Sequence, residues 1–162
     1  MDLLSPLWLL IPILPIAIWV GWSDMSSMKI PNRAVVAMAG VWVAFGWLCH
    51  DWRAWAWGFA LMGIVLVIGF LMSNFRMLGA GDAKFAAAMA PFFTGGDTVL
   101  VLIIVSTCLM GAVIIHRILR AVPAVRAATP DWVSWTHHKF PAGLALAGMV
   151  VIYHLAAFWP QV

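Results

Sequence analysis

The sequence predicts an all-α fold, a polytopic membrane bundle of about six transmembrane helices. Apolar residues make up 65% of the 162 residues, and Asp, Glu, Lys and Arg together only 9%, whereas a soluble domain carries roughly 25% charged residues. The apolar residues gather in segments of about 20 residues, the length of a helix that crosses a bilayer. The segments lack the alternation of a transmembrane barrel. This composition excludes a soluble enzyme, a disordered chain and a nucleic-acid-binding module.

Six segments in the chain are candidates for such helices. The first contains three prolines, which neighbouring helices have to accommodate, the second is short, and the third runs without interruption. The fourth carries Asp82 and Lys84 near its start, so hydropathy alone understates it. The fifth and sixth are apolar, apart from His154 in the last. The predicted spans cover residues 3–22, 34–49, 54–73, 77–93, 98–115 and 140–159.

The basic residues predict the orientation of these helices. Eight of the nine Lys and Arg residues fall on one side, in or beside the loops after the first, third and fifth spans, and only Arg53 falls on the other. Because cytoplasmic loops are enriched in Lys and Arg, these loops are predicted to be cytoplasmic and both termini extracytoplasmic. The longest loop, residues 117–139, mixes basic residues with Trp132 and Trp135, which favours a segment in the membrane interface. No repeat or linker divides the chain, so residues 1–162 are predicted to form one domain.

Asp82 is the first candidate for a functional residue. An ionisable group in a span is unfavourable, so it calls for a functional hypothesis. Gly79 and Gly81 precede it, and glycines allow another backbone or a substrate strand to come close. We therefore assign the two glycines to substrate binding. The alternative is close helix packing, with Asp82 paired to Lys84 or an arginine.

Asp24 ends the first span on the same predicted side as Asp82. Alone it could be a helix cap or a solvated loop residue. Two carboxylates that meet in a partly dry pocket share a proton, so that one activates a water and the other donates to a carbonyl oxygen. The pair therefore predicts acid–base hydrolysis of an amide without a covalent intermediate. Lys84 lies about 200° around the helix from Asp82 and is predicted to point elsewhere.

Other chemistries lack their parts in this sequence. The serines have no His and acid at recognisable spacing, and the two cysteines, Cys49 and Cys108, are predicted to be structural thiols. The histidines are scattered without a ligand spacing, and there is no glycine-rich phosphate loop. The sequence predicts no metal, no other cofactor and no nucleotide.

Two motifs resemble those of the type IV prepilin peptidases, the GxGD aspartic proteases of bacterial membranes. These are Asp24 followed by Ile30-Pro31-Asn32 at the end of the first span, and Gly79-Ala80-Gly81-Asp82 opening the fourth. The sequence is similar to the short form of the family, as in tight-adherence (Flp) pilus systems, which lacks the methyltransferase domain with its Cys-x-x-C motifs. Residues 141–143 are also similar to a Pro-aromatic-Gly of relatives, but Ala142 replaces the aromatic, so we assign them no role.

The resemblance implies that Asp24 and Asp82 are the catalytic pair. It implies removal of a short basic leader from a prepilin or pseudopilin, at the cytoplasmic face of the bacterial inner membrane. The implied partners are this precursor and the lipid bilayer, with no nucleic acid.

Two other classes of function remain open. In a small transporter or proton-conducting bundle, Asp82 would relay ions, which predicts further ionisable groups across the midplane. In a non-enzymatic membrane subunit of a pilus or secretion machine, the aspartates would be structural. Proteases similar to presenilin share Gly-x-Gly-Asp but need more spans than this chain offers.

Overall fold

The computed structural model describes residues 5–137 and 139–156, with side chains from Trp8 onward. Within these residues the fold is all-α, without strands, as predicted. Short 3-10 turns lie at Ala90–Phe93 and Val133–Trp135. The α-helices are α1 (Ser5–Ser27), α2 (Asn32–Cys49), α3 (Trp52–Asn74), α4 (Ala80–Met89), α5 (Thr98–Ala121), α6 (Pro123–Ala128) and α7 (Ala142–Ala156).

Four of the described helices are long and apolar enough to cross a membrane, and they correspond to the predicted first, second, third and fifth spans. The predicted sixth span is represented by α7, which is apolar and shorter. Two parts of the predicted spans lie outside the described residues, namely residues 157–159 of the sixth span and residues 3–4 of the first. The total of six spans and the orientation of the termini stay predictions.

The predicted fourth span differs most from a plain transmembrane helix. It begins as α4 at Ala80, and after ten residues it tightens into the 3-10 turn Ala90–Phe93. Ten residues of α-helix rise only about 15 Å, half the thickness of the hydrocarbon layer. Pro91 lies inside the turn, and because proline removes an N–H donor it favours the end of the α-helix here.

Helix α4 is packed inside the bundle, against α2, α3 and α7. Its buried side chains are small, apart from Phe85 and Met89, which brings neighbouring backbones close. At Gly69 of α3, an added Cβ would lie 2.9 Å from the Cβ of Ala83, so the glycine allows the α3–α4 contact. This packing takes the first turn of α4, with Asp82, into the protein.

Helices α3 and α5 form the outside of the bundle. Large apolar side chains are exposed along both, among them Phe70 (68%), Val67 (61%), Met110 (63%) and Leu102 (60%). A soluble monomer rarely exposes so much contiguous apolar surface, whereas lipid covers it without penalty. The core lies on the other side, where α1 packs against α7 and α2.

Candidate active site

Asp24 and Asp82 line one cavity of about 830 Å³. The cavity lies at the end of the bundle where α1 and α3 end and α2, α4 and α7 begin. The structure thus brings together the two predicted catalytic residues, and the charge of Asp82 is near enough to act on Asp24. Gly79 and Gly81, predicted to bind substrate, line the same cavity.

Asp24 is held by the start of α7. Its side chain is buried, with 4% exposed, and its Oδ2 accepts a hydrogen bond of 2.6 Å from the backbone N–H of Gly143. Gly143 is the second residue of α7, where the N–H groups lack partners within the helix and the helix dipole favours an anion. A Cβ on Gly143 would lie 2.9 Å from both Cβ and Oδ2 of Asp24. Only glycine permits this approach without a shift.

Asp82 is held within its own helix. It is the third residue of α4, and its half-buried carboxylate accepts a hydrogen bond from the backbone N–H of Gly79, the N-cap. This is one half of a capping box, in which the third residue reaches back to the cap. A Cβ on Gly79 would lie 2.6 Å from Oδ2 of Asp82. A Cβ on Gly81 would meet only ordinary contacts, 3.5 Å from the Cβ of Ile30.

The helix that carries Asp24 ends in a turn that is fixed by hydrogen bonds. The backbone N–H of Met28 donates to the carbonyl oxygen of Asp24 at 2.9 Å, and the Ser23 hydroxyl donates to the carbonyl oxygen of Lys29 at 2.8 Å. Met28 adopts a left-handed conformation, with φ of 54°. A non-glycine residue in this region costs about 1–2 kcal/mol.

Helix α3 ends in the same way on the other wall of the cavity. Arg76 has φ of 59°, and the backbone N–H of Met77 donates to the carbonyl oxygen of Met72 at 3.0 Å, the long bond of a Schellman motif. Met28 and Arg76 both line the cavity, so the two described non-glycine residues with positive φ lie at the candidate site. Strained backbone tends to collect at functional sites, where the fold holds it in place.

Four basic residues lie around the carboxylates. Lys84 Nζ donates to Oδ1 of Asn32 at 3.3 Å, and Lys84 lines the cavity beside Asp82. The prediction that Lys84 points elsewhere is therefore wrong, because its long side chain reaches across to the start of α2. Lys139 also lines the cavity, and its charge acts on Asp82. The remaining cations are Lys29 and Arg76, and all four side chains are exposed.

The loop before α7 supplies the part of the site that sequence reasoning missed. His137, Lys139, Phe140 and Ala142 line the cavity, and Gly143 binds Asp24. The sequence contains one signal for this part of the site, namely Gly143, which lies two residues after Pro141 at the start of the last apolar segment. The described residues contain no group of three or more His, Cys, Asp or Glu placed to hold a metal ion.

Comparison with known proteins gives one family. The family model described as the type IV leader peptidase family matches residues 9–115, more than half of the chain. The matched region contains Asp24, Asp82 and the two glycines, and it ends before α6 and α7. No curated protein and no solved structure matches the chain.

Proposed function

The chain belongs to the type IV leader peptidase family, and from that premise we propose that it is a membrane-embedded aspartic endopeptidase. Family membership and the apolar helices support a protease in a membrane. The observation that carries the aspartic mechanism is that Asp24 and Asp82 line the same cavity.

 Residues 25–81 separate the two aspartates in the sequence, so their meeting at one cavity is a property of the fold.

The proposed reaction needs one proton shared by the two carboxyl groups, because two carboxylates that meet in a partly dry site resist ionising together. The ionised group takes a proton from a water, whose oxygen attacks the carbonyl carbon of the scissile amide. The protonated group donates its proton to the carbonyl oxygen. The intermediate then collapses: the carboxyl group that took the proton of the water gives it to the amide nitrogen, which leaves as an amine. The other carboxylate takes back a proton from a hydroxyl group of the intermediate. The products are a carboxylic acid and an amine, and the pair is again left with one proton.

We propose a prepilin or pseudopilin as the substrate, in the bacterial inner membrane. The cavity lies at the end of the bundle that carries most of the basic residues, and such residues face the cytoplasm. The bond between a cytoplasmic leader and an apolar helix would lie at this level. Because like charges repel, we place the basic leader toward water, away from the four cations of the cavity.

An apolar groove next to the cavity supports this substrate class. The groove, of about 590 Å³, lies between α3 and α4 and shares Ala80 and Lys84 with the catalytic cavity. Its other walls are mostly apolar and include Leu66, Val67 and Phe70. We propose that the apolar helix of the substrate lies in this groove while the scissile bond enters the cavity. Because the two spaces share wall residues, they favour a substrate that is half apolar and half polar.

The test uses the full chain in lipid vesicles, with a prepilin of a tight-adherence pilus system as substrate. Mass spectrometry of the products is expected to show a single cut at the junction of the leader and the apolar helix. A folded chain that leaves such precursors intact would contradict the proposal. A pH-sensitive dye inside the same vesicles tests the transporter alternative, for which proton flux without cleavage is the expected result.

A further inference from the structure

A second basic cavity lies at the same end of the bundle, beyond the region that matches the family. It measures about 420 Å³ and lies between the end of α5, α6 and the loop that follows. Trp135 of its wall stacks on Trp132 at 5.4 Å, and Trp132 contacts the ring of Trp22 in α1 at 5.0 Å. The proposed mechanism does not use this cavity. Its walls include Arg120, Arg126, Trp135, Thr136, Pro123 and Pro130.

The lining of this cavity suits an anion. Arg120, Arg126 and Thr136 belong to the wall, and the described lining residues include no acidic side chain. Arginine presents a planar fork of N–H groups that matches the oxygens of phosphate. The rule that basic residues face the cytoplasm accounts for the presence of Arg120 and Arg126 on this side, but not for their sharing one cavity.

One wall of this cavity is well fixed. Trp135 is 3% exposed, and its indole N–H donates to the carbonyl oxygen of Thr129 at 2.9 Å. Its ring also stacks on His116 of α5 at 5.6 Å. A cavity with one rigid wall loses little conformational entropy when it takes up a ligand.

The position of the cavity favours a phosphate at the membrane surface. Arg120 lies in the last turn of α5, and the turns just before it expose Ile114 (50%), Ile115 (52%) and Ile118 (57%). Hydrocarbon that covers these side chains would place Arg120 at the level of the headgroups. Basic pockets at this level bind the headgroups of anionic lipids.

We propose that the cavity between Arg120 and Arg126 binds the phosphate headgroup of an anionic phospholipid. The lipid chains would lie along the exposed apolar side of α5. Thr136 of this cavity is followed directly by His137 of the catalytic cavity, so a bound headgroup would contact the loop that forms one wall of the active site. The proposal concerns binding and does not depend on the peptidase activity.

The test measures lipid binding to the purified full chain in a neutral detergent, with phosphatidylglycerol as the probe. Native mass spectrometry reports the fraction of protein that keeps a lipid as the lipid concentration rises. Each basic residue near an anionic surface contributes about 1 kcal/mol, so the double variant Arg120→Gln/Arg126→Gln is expected to bind roughly 30-fold more weakly. The matched control is Arg117→Gln, an exposed arginine of α5 that does not line the cavity.

The outcomes separate the sources of the phosphate. The expected result is weaker binding in the double variant alone, weak binding of phosphatidylcholine, and no displacement by millimolar inorganic phosphate. Displacement by inorganic phosphate would overturn the lipid assignment in favour of a soluble phosphate. Equal loss in the Arg117 control, or wild-type binding in a double variant with an unchanged melting temperature, would overturn the site itself.

Discussion

The two aspartates of the site are held by the same kind of contact but by different parts of the chain. In each case a glycine N–H at the start of a helix donates to the carboxylate, and a Cβ on that glycine would collide with it. Asp82 binds the cap of its own helix, three residues earlier. Asp24 binds Gly143, 119 residues later, at the start of another helix.

The two contacts contribute differently to the site. The Asp82 contact is local, so it forms whenever α4 forms and fixes the rotamer of one side chain. The Asp24 contact joins α1 to α7, so it fixes the geometry between two helices that form the core of the bundle. We expect the long-range contact to be the more sensitive of the two, because a buried side chain has less room to adjust than a half-exposed one.

The largest effect is expected when either carboxylate is removed, since one is proposed to activate the water and the other to protonate the carbonyl oxygen. Asp24→Asn and Asp82→Asn are each expected to lower cleavage of a prepilin by about 10²–10⁴-fold, the usual contribution of a general acid or base. Leader removal is measured in vesicles. Asp97→Asn is the matched control, because Asp97 caps α5 through the N–H of Val99 and asparagine caps equally well. Cleavage at the wild-type rate in either active-site variant would contradict the proposed catalytic pair.

The next effect tests the long-range contact. In Gly143→Ala, the new Cβ has to displace Asp24, and a misplacement of about 1 Å can cost about 100-fold in rate. Gly148→Ala on the same helix is the control, because its Cβ would meet only Cys108 Sγ, at 3.9 Å. Initial rates of cleavage at saturating substrate measure the effect. Equal rates in the two variants would show that Gly143 has no role in placing Asp24.

A smaller effect is expected at the local contact. In Gly79→Ala, the new Cβ pushes against Asp82, but this half-exposed side chain can rotate into the cavity. We therefore expect the rate of cleavage to fall about tenfold, which is less than a misplacement of about 1 Å causes. Gly81→Ala meets only ordinary contacts, so it separates packing from substrate binding. An unchanged kcat with a raised KM in Gly81→Ala would support the assignment of this glycine to substrate binding. A larger loss in Gly79→Ala than in Gly143→Ala would reverse the comparison.

The smallest effect concerns the apolar groove rather than the carboxylates. Val67→Trp is expected to fill part of the groove and raise KM a few-fold without changing kcat, because it removes binding that is the same in the ground state and the transition state. Ile68→Trp, an equally apolar and exposed change on α3 outside the groove, is the control. The same KM in the two variants would place the groove outside the path of the substrate.

The same contrast explains which parts of the site could be predicted from the sequence. Gly79 and Asp82 lie within four residues of each other, so their contact is local. An ionisable residue within an apolar segment can be recognised from the sequence alone. The Asp24–Gly143 contact depends on how α1 and α7 pack, and no local pattern encodes it. The position of Lys84 was mispredicted because helix geometry places the Cβ and says little of where a long flexible side chain ends.

The helices were predicted from the same kind of information, with one informative difference. Long apolar segments predicted α1, α2, α3 and α5, because a helix that crosses a membrane consists of about 20 consecutive, mostly apolar residues. The predicted fourth span combines α4 with a 3-10 turn, and its Ala-rich sequence reflects packing between helices rather than contact with lipid. That distinction depends on the neighbours of the segment, which a hydropathy pattern does not contain.

Crosslinking tests the claim that Asp24 and Asp82 meet at one cavity. Asp24→Cys and Asp82→Cys are combined in a chain whose Cys49 and Cys108 are replaced by Ala, and a short bifunctional thiol reagent is added in vesicles. The control pair combines Asp24→Cys with Asp97→Cys. Asp97 precedes the first residue of α5, at the end of that helix away from the cavity. We predict an intramolecular crosslink for the 24–82 pair alone, read by mass spectrometry of the digested protein. Full labelling of both cysteines without a crosslink between them would contradict the claim.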